Sequence, residues 1–139
     1  MLGALFIAAS AAIVGLLGLV HVLYTFRGSH FDPRDSELKA KMMAVSPVIS
    51  RETTMWRTWI GLHASHSFGA LLFGVVYGYL AVLHGRFLLE SWFLLAVGLL
   101  LLVGYAVLAR LYWFSIPFRG IVLAAVLYSL GLVVTLAST

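Results

Sequence analysis

Four stretches of this chain are apolar for about twenty residues or more: roughly 2–26, 54–83, 87–112 and 118–137. About 20 residues of helix cross a hydrocarbon layer of about 30 Å. Inside that layer every backbone N–H and C=O must be satisfied within the protein, which leaves helices as the economical solution for separate apolar runs. The four stretches therefore predict an all-α fold, a four-helix transmembrane bundle forming a single integral-membrane domain over residues 1–139. With 63% hydrophobic and 10% charged residues, the chain carries more apolar surface than a soluble core of this size can bury. The first run lacks a basic leader and exceeds a typical signal-peptide core, so a retained span is expected. With no cysteine, disulfides, thiolate nucleophiles and iron–sulfur clusters are excluded.

Most of the charge falls in one polar segment between the first two spans, residues 27–53. Asp32-Pro33 reads as a helix start, with Asp as N-cap and Pro in the first turn. Leu38, Met42 and Val45 follow at helical spacing beside Lys39 and Lys41, which predicts a short amphipathic helix on the membrane surface. Ser46-Pro47 is expected to end it. His84-Gly85-Arg86 reads as a tight connection between spans two and three, and Pro117 as the break before span four.

The basic residues also set an orientation. Arg27, Arg34, Lys39, Lys41, Arg51 and Arg57 surround the first loop, and Arg110 and Arg119 the third; the second has Arg86 alone. This asymmetry predicts loops one and three in the cytoplasm and both termini outside. The formal charge of +4 is thereby explained by topology, and no nucleic-acid partner is implied.

Span two carries the most chemistry. Trp56, Trp59, His63, His66, Ser67, Ala70, Gly74 and Gly78 recur at helical spacing and share one face. Small residues on such a face allow a neighbouring helix to approach closely in lipid. Ala4, Ala8, Ala11, Gly15 and Gly18 mark a similar face on span one, and Gly120, Ala124 and Gly131 the small positions of span four. Counting about 1.5 Å per residue from the shared loop puts His21 at a depth close to that of His63 and His66. Tyr105 on span three lies about as far from its own cytoplasmic end.

The stretch MWRTWIGLHASHSFG, with HVLYTF before it and FDPRD in the first loop, resembles a family of small four-span bacterial inner-membrane proteins. The likeness covers the chain through span two. It implies a bacterial plasma-membrane location and four spans. The family has no established activity, so no catalytic residue carries over. A looser likeness to the DoxX-like proteins rests on size and span count.

Ionisable side chains inside spans are costly and are functional candidates by default. His21, His63 and His66 are the candidate ligands of a metal ion, since a His-x-x-His pair can chelate from one helix face and His21 completes three ligands. A haem held by His21 and one histidine of span two is an alternative, with Arg27 or Arg57 near the propionates. Arg57, Ser67, Tyr105 and Trp59 are candidate supporting residues. The structural alternative is that the histidines hydrogen-bond across helices and hold the bundle together. A proton relay is weakened because no carboxylate lies at that depth, which also argues against a Glu-x-x-His di-iron site. Ser65 and Ser67 lack a nucleophile elbow, and a mid-helix serine commonly bonds its own backbone. The basic residues of loop one could also meet anionic lipid or a phosphorylated substrate. Three functions thus remain open: a membrane protein binding a metal, haem or small ligand, a structural subunit of a homo-oligomer or larger membrane complex, and a small enzyme acting on a lipid-like substrate.

Overall fold

The computed structural model describes residues 2–137, which form six α-helices and no strand. They are α1 (Leu2–Phe26), α2 (Ser36–Ala44), α3 (Met55–Leu83), α4 (Gly85–Glu90), α5 (Trp92–Tyr112) and α6 (Ser115–Leu136). By length and composition, α1, α3, α5 and α6 can each cross a membrane. Much of their apolar surface faces outward, as with Trp92 at 74% and Phe93 at 75% exposure. Lipid accounts for that surface, and the chain is a multi-pass membrane protein.

The helix ends follow local chemistry and correct the sequence reading in three places. Asp35, not Asp32, caps α2: its Oδ1 accepts from the N–H of Glu37 at 2.8 Å and of Leu38 at 3.3 Å. Asp32 pairs instead with Lys39, Nζ to Oδ2 at 2.8 Å. The second correction concerns span three, which begins at Trp92 rather than Phe87. Ser91 takes an extended conformation and caps α5 through Leu94 N–H at 3.4 Å, leaving residues 85–90 as a separate short helix. Third, Pro117 does not break the chain but sits in the first turn of α6. The first four N–H groups of a helix have no intrahelical acceptor, so proline loses nothing there. α1 ends at Phe26, and two residues further on Gly28, with a φ of +83°, takes the left-handed conformation that turns the chain away from the helix axis.

The chain divides into two compact units, residues 1–17 with 70–139, and residues 18–69. The first contains parts of all four long helices around one apolar core. Ile7, Ala11 and Val14 of α1 meet Ala70, Phe73, Tyr77 and Ala81 of α3, Leu95 and Leu102 of α5, and Ile121, Ala124 and Tyr128 of α6. Leu88 of α4 is fully buried among them. Tyr77 donates to the carbonyl of Leu94 at 2.6 Å and Tyr128 to that of Leu95 at 3.1 Å, so the two largest polar groups of this core are satisfied by backbone oxygens of α5. Gly98 leaves the space that both rings occupy.

Close backbone approach joins α1 and α3 in this unit. A Cβ on Gly74 would lie 2.6 Å from Gly15 Cα and 3.1 Å from Ala11 O, whereas one on Gly15 would lie 3.4 Å from Gly74 Cα. Backbone cannot yield as a flexible side chain can. Gly74→Leu is therefore expected to lower stability in detergent by about 1–3 kcal/mol through overpacking, and Gly15→Leu by less. Melting of the purified variants checks this, and an unchanged midpoint for Gly74→Leu would contradict the close crossing.

Candidate functional site

The second unit contains the end of α1, the polar segment with α2, and the start of α3. Inside it, the three span histidines come together. His21 Nε2 and His63 Nδ1 lie 3.0 Å apart and share a hydrogen bond. One nitrogen must donate and the other accept, so at least one of these rings is neutral. The ring centroid of His21 is 5.2 Å from that of His63 and 5.2 Å from that of His66. All three rings are half-buried.

Their backbones are fixed by hydroxyls one turn further on. Thr25 Oγ1 donates to His21 O at 2.8 Å, and Ser67 Oγ to His63 O at 3.0 Å. Both hydroxyl residues are buried, Ser67 completely. Ser65 likewise donates to Leu62 O at 3.0 Å. Neither serine donates to a histidine ring, so the Ser–His nucleophile has no geometric support and these hydroxyls belong to the helix backbone.

Two aromatic residues enclose the pair. Phe31, from the loop after α1, stacks on His63 with ring centroids 4.2 Å apart and lies 4.7 Å from His21. Trp59, one turn before His63 on α3, meets its ring edge-on at 4.4 Å. The indole Nε1 of Trp59 donates to Phe31 O at 3.1 Å, which holds the loop against the helix. Lys39 reinforces the arrangement, bonding Asp32 beside Phe31 while its ammonium lies 4.8 Å from the centre of the Trp56 ring. An open cleft follows this edge, lined by Phe31, Asp32, Pro33, Leu38, Met42 and Trp59.

His63 Nε2 is buried and has no hydrogen-bond partner. Among the described residues, no three His, Asp or Glu side chains are already disposed as a metal site. Haem between the two hydrogen-bonded rings is disfavoured for a different reason. Axial nitrogens on one iron would stand roughly 4 Å apart, at twice a metal–nitrogen bond of about 2 Å. The 3.0 Å contact leaves no gap for a porphyrin between them.

Of the supporting candidates, Trp59 touches the site and Ser67 holds the backbone of His63. Arg57 is exposed. Tyr105 belongs to the other unit, packed against its core beside Trp113. Phe31 is the residue that the sequence reading missed. Nothing in its flanking residues marks it, because its position depends on how the loop folds back on α3. Comparison of the chain with family models, curated proteins and solved structures finds no match.

The pair geometry sets an expectation for coupling. His21→Ala and His63→Ala should each destabilise the protein, and the double variant should lose less than the sum. The coupling expected for a hydrogen bond between membrane helices is about 0.6–1.7 kcal/mol. A double-mutant cycle in detergent measures it, and strictly additive losses would contradict the contact.

Proposed function

We propose that this is a small bacterial inner-membrane protein whose His21, His63 and His66 cluster takes up a divalent transition-metal ion. The observation that carries the reading is the grouping of three half-buried imidazoles, with His66 beside the hydrogen-bonded His21–His63 pair. Neutral imidazole is a ligand suited to zinc, copper or nickel, and no carboxylate or thiolate competes in the cluster. His21 Nε2 and His63 Nδ1 would hold the ion as neutral imidazoles, the proton between them moving to the other nitrogen of the ring that carries it. Bonds of about 2.0–2.1 Å from both nitrogens to one ion would require the 3.0 Å pair to separate and both rings to turn toward it. His66, whose ring centroid lies 5.2 Å from that of His21, would supply the third nitrogen. Phe31 and Trp59 cover part of His63.

The test is equilibrium dialysis of the purified protein against zinc, with cobalt(II) as a spectroscopic probe of tetrahedral nitrogen coordination. One ion per chain is expected, with affinity at least about tenfold weaker in His63→Ala. Binding should also weaken in acid, where protons compete for imidazole. Absent binding, or equal binding by the His63→Ala variant, would refute the metal reading. The direct His21–His63 hydrogen bond favours a second reading, a clamp joining α1 to α3 in a structural subunit of a homo-oligomer or larger membrane complex. In that case the variants lose stability and no ion is found.

The basic residues support an orientation in which loops one and three face the cytoplasm and both termini lie outside. Reporter fusions at residues 40 and 116 should then read cytoplasm, and fusions at residue 85 and the C-terminus the outside. A cytoplasmic C-terminus would contradict this orientation.

A further inference from the structure

We propose that the turn at residues 47–50 is an anchor that inserts Val48 and Ile49 among anionic lipid headgroups. These are the most exposed large apolar side chains in the described residues, at 109% and 93%. They occupy the tip of a turn closed by Ser50 N–H donating to Pro47 O at 3.3 Å. Two fully exposed β-branched residues on an ordered turn are unfavourable in water, and their surroundings identify the apolar phase that covers them.

The base of the turn is fixed to the start of a membrane span. Met55 N–H, the first residue of α3, donates to Val45 O at 2.8 Å. Val48 and Ile49 follow Val45 by three and four residues, so they lie within about 14 Å of it even if the chain is fully extended. The headgroup layer is roughly 5–8 Å deep on each side of the hydrocarbon. The turn therefore remains within reach of that layer wherever the boundary crosses the first turns of α3. Met43 and Val45, at 55% and 54% exposure, extend the apolar surface back toward α2.

Charge selects the lipid. Lys41, Arg51 and Arg57 are exposed and form no ion pair among the described residues. Of the nearby acidic groups, Asp32 is held by Lys39 and Asp35 caps α2, which leaves Glu37 and Glu52. An apolar tip flanked by uncommitted cations is the pattern of an interfacial segment that prefers phosphatidylglycerol or a similar anionic lipid. This anchor is independent of whether the histidines bind a metal.

The chain has no cysteine, so a single Ile49→Cys carrying an environment-sensitive nitrobenzoxadiazole probe reports this one position. The full-length protein is placed in nanodiscs of phosphatidylcholine with or without phosphatidylglycerol, and Ser36→Cys serves as the reference site on α2. The expected result is blue-shifted emission at position 49, quenched more by a shallow lipid-borne nitroxide than by acrylamide, and more strongly so with phosphatidylglycerol. Adding Lys41→Gln and Arg51→Gln should remove that lipid dependence. Water-like emission open to acrylamide in both bilayers overturns the proposal. So does a blue shift that persists without lipid in detergent and grows with protein concentration, since that identifies a second copy as the cover.

Discussion

Imidazole rings inside apolar helices must find polar partners, and in this chain they find one another. The His21–His63 hydrogen bond joins the end of α1 to the start of α3. The polar segment closes over this contact through Phe31, while Trp59 fixes Phe31 by its carbonyl. Lys39 then ties α2 to the same edge through Asp32 and Trp56. Trp59, Asp32 and Lys39 thus help to place Phe31 beside the histidines.

The other unit solves a different problem. Lipid is as apolar as leucine, so packing and hydrogen bonds must hold its helices together where the hydrophobic effect cannot. Gly15 and Gly74 let two backbones meet, and Gly98 admits Tyr77 and Tyr128 beside α5. Their hydroxyls reach carbonyls that are already part of a helix, which ties α3 and α6 to α5 without leaving a buried donor unmet.

The spans were legible because length and apolarity leave a membrane chain few alternatives. The boundary of span two is offset by a single residue, from Thr54 to Met55, within the ambiguity of any helix end. His63 and His66 could be placed on one face from their spacing, and His21 near their depth by counting from the shared loop. Local punctuation was less legible, since the same residue types serve several ends. Asp32 and Asp35 are both plausible caps, and only the ion pair with Lys39 removes the first. Pro117 signals a break or a helix start with the same ring. Ser91, directly after Glu90, is a short polar interruption in an otherwise apolar run. Phe31 could not be read at all, because loop packing against α3 has no sequence period. The unpartnered His63 Nε2 is similarly a property of the assembled site.

The contact on which this arrangement depends can be observed directly. In protein labelled with ¹⁵N at histidine and held in a bilayer, a hydrogen bond between two imidazoles transmits a scalar coupling from nitrogen to nitrogen. One such correlation is expected, linking His21 Nε2 to His63 Nδ1, and it should vanish in either single-histidine variant. Two uncoupled rings with the ¹⁵N shifts of water-exposed imidazole would contradict the joined pair, and with it the site built around it.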